Sequence, residues 1–170
     1  MVSNGSGPWP EDEVTRPERL SAAGLDFLKS HEGFRSHMYD DVKGYCTVGY
    51  GHLVHKGRTG TNPQAEAPFA AGLSIDAATA LLAKDVSWAC DAVIKLVTRQ
   101  PLKQHEFDAL VDFTFNVGTH AFATSTLLKR VNALVPAGAI TEAFLMWDKP
   151  IQLLGRRKAE AWLFNTGAYK

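Results

Sequence analysis

The chain has 170 residues with 18 basic and 18 acidic side chains, a size that suits one domain, or one domain with a small lobe. Balanced charge excludes a global field that would draw nucleic acid or an anionic membrane as the main partner, leaving only a local basic patch open. Hydrophobic residues make up 45% and aromatics 10%, enough for a sizeable core. No apolar run approaches the roughly 18 residues that span a bilayer, so stable membrane insertion is not expected.

Residues 1–16 are rich in proline, glycine, serine and acids and read as a flexible N-terminal extension, with Trp9 either docked or solvated. That stretch has neither a basic nor an apolar signal region, so the product is expected to be soluble in a cytoplasm. Ser21 is a plausible N-cap. Leu25, Leu28 and Glu32 then share one helix face, and Gly33 is the expected stop. From Phe34 to Val54 the pattern changes to short strands around a turn of Asp40, Asp41, Lys43 and Gly44. Cys46, Val48 and Tyr50 alternate with Thr47, Gly49 and Gly51. This predicts a small sheet with one greasy face and one bare face that a large ligand could approach.

Residues 56–72 read as a loop by composition, and Ser74 and Asp76 open a long helix. Ile75, Ala78, Leu82, Val86, Ala89 and Val93 form its stripe, and Pro101 ends the pattern. Residues 103–118 fit a helix or a strand; length and Gly118 favour a central buried helix. Further helices are expected near 124–134, 139–147 and 155–165. The sum is α+β, mostly α, with a small N-terminal β-sheet region packed on a helical body.

Metal chemistry finds little support. His31 and Glu32 are followed by a helix-breaking Gly33 and the next histidine is His37, so no H-E-x-x-H exists and His31 reads as incidental. His52 and His55 lack a third ligand nearby in sequence. The expectation is no metal and no cofactor. Cys46 and Cys90 form no metal spacing and read as two buried free thiols. No G-x-S-x-G or phosphate loop is present.

Paired carboxylates fare better. At a helix C-terminus the macrodipole disfavours a negative charge on Glu32, which suits a group that must hold and deliver a proton. Asp41 lies in a polar turn where it stays ionised, and the Thr47 hydroxyl could hold a water. Two acids in opposed environments are the pattern for glycosidic cleavage.

The stretch E-G-F-R-x3-Y-x-D-x2-G-Y-x-T-V-G-Y-G-H resembles the catalytic segment of the phage-type (T4-like) lysozymes or endolysins, glycoside hydrolase family 24. That family's signature is Glu, eight residues, Asp or Cys, five residues, then Thr, and Glu32, Asp41 and Thr47 match both intervals. QHEFDALVDFTFNVG, AFATSTLLKRVN and GRRKAEAWLFNTG resemble its later helices, so the likeness runs from about residue 21 to 168. The resemblance implies a lysozyme-like fold over residues 17–170, with a small β lobe at about 34–56 and a helical lobe at about 74–170. It implies a monomeric hydrolase of the β-1,4 bond between N-acetylmuramic acid and N-acetylglucosamine in bacterial peptidoglycan.

Within that likeness Glu32 is the general acid. Asp41 and Thr47 position and activate water, with inversion at the anomeric carbon. His52 matches a structural ion pair whose acid the sequence does not identify. Asn116 matches a cleft-lining position, with capping of its own helix as the other reading. Arg156, Arg157 and Lys158 either touch anionic wall polymer or form a solvated helix start, the second being favoured. The implied biology is a phage endolysin of a Gram-negative host, waiting in the cytoplasm for a holin or similar route to the periplasm. A lytic transglycosylase, a secreted or particle-associated antibacterial lysozyme and a non-catalytic wall-binding module are the rivals.

Overall fold

The computed structural model describes residues 16–99 and 101–170. Trp9 and almost all of the N-terminal extension lie outside these residues. Helix α1 (Ala22–Glu32) starts where expected, with the Ser21 hydroxyl accepting from the Gly24 amide at 2.9 Å. The same hydroxyl donates to Asp108 on α5 (Gln104–Val117), and Gly24 is glycine because a Cβ there would meet the Asp108 carboxyl at 2.4 Å. Fully buried Asp108 also accepts from Gln104 and from the Tyr169 hydroxyl at 2.7 Å. Burial pushes the Tyr169 phenol up to about 12, so it remains a donor.

Gly33, at φ +68°, turns the chain out of α1 into β1 (Arg35–Asp40). With β2 (Cys46–Gly49) and β3 (His52–His55) it forms an antiparallel sheet in the order β1-β2-β3. Tyr39 pairs with Thr47, and Cys46 with His55. The bare face expected of β2 does not exist, because all four of its residues are buried. A Cβ on Gly49 would sit 3.2 Å from the Ala78 Cβ of α3 (Ile75–Asp85), so that glycine admits a helix rather than a ligand. Gly51, at φ +84° with open space around it, is the glycine that stays accessible.

The loop after β3 is more ordered than its composition suggests. It carries α2 (Pro63–Glu66), capped by the Asn62 side chain and opened by a proline, then a 3-10 turn at Ala67–Phe69. The long helix expected from Ser74 breaks at Val86 into α3 and α4 (Ser87–Leu96). The break was invisible in sequence because the stripe of Leu82, Val86, Ala89 and Val93 stays buried across it.

The ambiguous segment is helix α5, with every residue from Phe107 to Thr114 buried. It packs against α1, α4 and α9 (Leu154–Thr166). Phe113 meets Phe122, Phe144 and Trp147 in edge-on or near edge-on contacts. Helices α7 (Thr126–Asn132) and α8 (Ala137–Leu145) fall close to expectation, whereas α6 (Thr119–Thr124) was hidden by reading Gly118 only as a stop. Both cysteines are buried free thiols, as expected. Among the described residues no helix is long and apolar enough to cross a membrane.

Candidate active site

Because α1 stops at Gly33, Glu32 stands where the chain leaves the helices for the sheet. Its side chain is 21% exposed, and Oε1 accepts from Arg156 Nη1 at 2.8 Å. Among the described residues Oε2 has no hydrogen-bond partner. Arg156 is buried, and its Nε and Nη2 grip the Asp112 carboxylate at 3.0 and 3.1 Å. Asp112, fully buried on α5, also faces His31 Nδ1 at 3.2 Å. Arg156 and Arg157 are therefore neither a solvated helix start nor a wall-polymer contact, and His31 is not incidental. The first turns of α9 lie against α5, whose acids supply the counter-charges; only Lys158 of the basic run is exposed.

Burial works against the charge of Asp112, yet the His31 hydrogen bond and the Arg156 cation hold its carboxyl below the usual range. Fully buried Glu160 goes the other way. Burial and the nearby Asp112 charge push it well above the usual range, against the pull of both arginines. Among the described residues neither Glu160 oxygen has a partner in hydrogen-bond geometry, so its burial favours the uncharged form. Arg157 Nη1 lies 3.0 Å from Glu160 Oε2 but outside hydrogen-bond geometry, which fits a neutral acid. A carboxyl that holds its proton more tightly when folded stabilises below its unfolded range, and that stability fades as pH rises through the folded value. Glu160→Gln removes the titration and keeps the size of the side chain. Its melting temperature relative to wild type is expected to climb as pH rises above 4.5, the ordinary glutamate value. Paired thermal melts across pH check this, and a difference that ignores pH would refute it.

Arg157 lies over the Phe113 ring at 4.8 Å and donates Nη2 to Asn116 Oδ1 at 2.5 Å. Asn116 does not cap its helix, since α5 closes through Gly118 N to Thr114 O. Its side chain is instead oriented by Arg157, and among the described residues Nδ2 has no partner.

Asp41 and Thr47 are brought together by the backbone of Tyr45. The Asp41 Oδ1 oxygen accepts from the amides of Lys43 and Tyr45 at 2.8 and 2.9 Å. The Tyr45 carbonyl accepts from the Asp41 amide at 2.9 Å and from the Thr47 hydroxyl at 3.0 Å. With its hydrogen so used, Thr47 Oγ1 offers only lone pairs. Asp41 Oδ2 has no hydrogen-bond partner among the described residues. No direct hydrogen bond joins Glu32 to either residue.

His52 finds its acid in Asp85, the last residue of α3, at 2.8 Å. Beside this pair an open depression of about 470 Å³ is lined by Gly51, Leu53, Trp88 and Phe115 among others. The Trp88 and Phe115 rings stack at 5.8 Å there, joining β3, α4 and α5 in one surface. Among the described residues, side chains able to share a metal ion gather at Cys46, His55 and Glu66. The sequence left His55 without a third ligand; the fold supplies two partners.

Sequence reasoning missed Asp112, and it met Glu160 only within the GRRKAEAWLFNTG likeness, without a role. A signal was present: Asp108 and Asp112 interrupt a helix that is otherwise apolar on most sides, and a buried acid requires partners.

A small three-stranded sheet against a helical bundle, with an acid at the end of the first helix, defines a lysozyme-type molecule. The chain belongs to the phage lysozyme family, whose model matches residues 29–160. The endolysin of Salmonella phage P22 is 40% identical over 152 residues, covering 86% of this chain and 97% of that protein. Among solved structures, an endolysin from Escherichia coli O157:H7 phage FAHEc1 has a TM-score of 0.75 at 32% identity, covering 89% of this chain and 96% of that one. The muramidase domain of SpmX from Asticaccaulis excentricus has a TM-score of 0.69 at 33% identity, covering 88% and 99%.

Proposed function

We propose that the chain is a muramidase of the endolysin type, hydrolysing the β-1,4 bond between N-acetylmuramic acid and N-acetylglucosamine with inversion. The observation that carries the mechanism is a shared asymmetry of the two acids. Each has one oxygen anchored, Glu32 Oε1 by Arg156 and Asp41 Oδ1 by two amides, and one unclaimed. A neutral Glu32 keeps its carbonyl oxygen on Arg156 and aims the Oε2 hydroxyl at the glycosidic oxygen. As that bond breaks, the proton passes to the leaving sugar. Water held between Asp41 Oδ2 and Thr47 Oγ1 attacks the anomeric carbon from the opposite face, and Asp41 takes its proton.

The glycan would lie between the sheet and the helices, over Gly51 and the Trp88–Phe115 platform, with Asn116 Nδ2 as a donor to it. A Gram-negative host is the reading we favour, because the match spans 97% of the Salmonella phage P22 endolysin but 56% of the Bacillus phage B103 endolysin. The delivery route we favour runs from the host cytoplasm through a holin or other pore to the periplasm, with the enzyme acting as a monomer. No step of this cycle calls for a cofactor.

The test is product analysis on outer-membrane-permeabilised cells and purified wall. The expected products carry a reducing N-acetylmuramic acid end, and proton NMR of the first-formed product shows the α-anomer. An anhydro sugar by mass spectrometry would replace hydrolysis with transglycosylation. A first-formed β-anomer would mean retention, and binding without cleavage would leave only a wall-binding module.

A further inference from the structure

The pairing of β2 with β3 sets Cys46 opposite His55, and the loop after β3 folds back to bring Glu66, at the end of α2, against both. The Cys46 sulfur, a His55 ring nitrogen and a Glu66 carboxylate oxygen all lie within 4.8 Å of one another. Glu66 is held firmly in place. His55 Nε2 contacts Oε1 at 2.7 Å, the Gly60 amide donates to both oxygens at 2.9 Å, and the Asn62 amide reaches Oε1 at 3.2 Å. Cys46 is fully buried, whereas the His55 and Glu66 side chains are 13% and 10% exposed.

We propose that Cys46, His55 and Glu66 form a divalent metal site, with zinc as its preferred ion and a water in the fourth position. A thiolate, an imidazole and a carboxylate are the donor set of a borderline-soft cation, and zinc accepts all three. Tetrahedral zinc with bonds of about 2.0–2.3 Å needs ligand atoms about 3.3–3.8 Å apart. No pair has to close by more than about 1 Å, and the His55–Glu66 pair at 2.7 Å opens by a little less. The charges also match. A dication with one thiolate and one carboxylate is neutral overall, which suits a site that is almost out of water. Binding releases the Cys46 thiol proton, and a second proton if His55 is charged.

A thiol beside a histidine–carboxylate pair is also the layout of a cysteine nucleophile. The complete burial of Cys46 keeps a substrate from the sulfur and disfavours that use. The metal would tie the 57–66 loop to the start of β2, one residue before Thr47. This stiffens the strand while leaving the reaction to other groups, so the inference does not rest on the proposed activity.

The experiment is cobalt titration of the full-length, chelator-treated protein, followed by zinc. Expected are one equivalent of bound cobalt, a thiolate-to-cobalt charge-transfer band in the near ultraviolet, its loss on adding zinc, and a zinc-dependent rise in melting temperature. Cys46→Ser should abolish the band and weaken cobalt binding by more than about 100-fold, beyond the loss of an outer partner. Cys90→Ser should leave both unchanged. Should Cys46→Ser fold poorly, Glu66→Gln serves instead, keeping the charge-transfer band but binding cobalt at least about tenfold more weakly. Absence of the band in folded wild type at saturating cobalt overturns the proposal. So does its persistence in Cys46→Ser, or cobalt affinity unchanged in Glu66→Gln.

Discussion

Glu32→Gln is expected to slow wall clearance by about 10²–10⁴-fold, the range for a positioned general acid. The amide keeps an acceptor for Arg156 but cannot deliver a proton to the leaving sugar. Stability should stay within about 1 kcal/mol of wild type or rise slightly, because active-site acids are held at some cost to the fold. Turbidity loss of permeabilised cells and a thermal melt of the same sample read both quantities. Clearance at the wild-type rate would remove Glu32 from its assigned role. A large fall in melting temperature would mean that the lost clearance reports folding rather than chemistry.

The second large effect lies outside the reacting groups. Asp112→Ala leaves Arg156 buried with its main counter-charge gone. Removing one partner of a buried pair costs about 3–5 kcal/mol, which for a chain of this size lowers the melting temperature by on the order of 10 °C. A double replacement, Asp112→Leu with Arg156→Met, removes both charges and should recover much of that loss. It should not recover clearance, since Glu32 loses its Arg156 anchor. Full stability in the single variant would show that the charges are more hydrated than their burial suggests.

What could be read in the sequence was local. Ser21 caps within three residues, Gly33 and Gly118 stop their helices, and Asp41 organises a turn that closes on Tyr45. The Glu32, Asp41 and Thr47 spacing belongs to this class, because all three lie in the short stretch from the end of α1 to β2. What could not be read depends on partners far along the chain. Arg156 stands 44 residues from Asp112 and 124 from Glu32, so its basic run looked like an exposed helix start. His52 needed Asp85, 33 residues on, before its acid could be named. Gly49 was legible as a close approach but not as to whom: the approaching body is Ala78 of α3. His55 met the same limit, since only the folded-back loop puts Glu66 beside it.

The anchoring of the two acids has a consequence for how damage would be felt. Glu32 hangs from Arg156 and hence from α5 and α9, whereas Asp41 and Thr47 hang from Tyr45 within the hairpin. Loosening the helices therefore disturbs departure of the leaving sugar, and loosening the hairpin disturbs arrival of the water. A glycoside whose leaving group departs without a proton would be indifferent to the first kind of injury and fully exposed to the second.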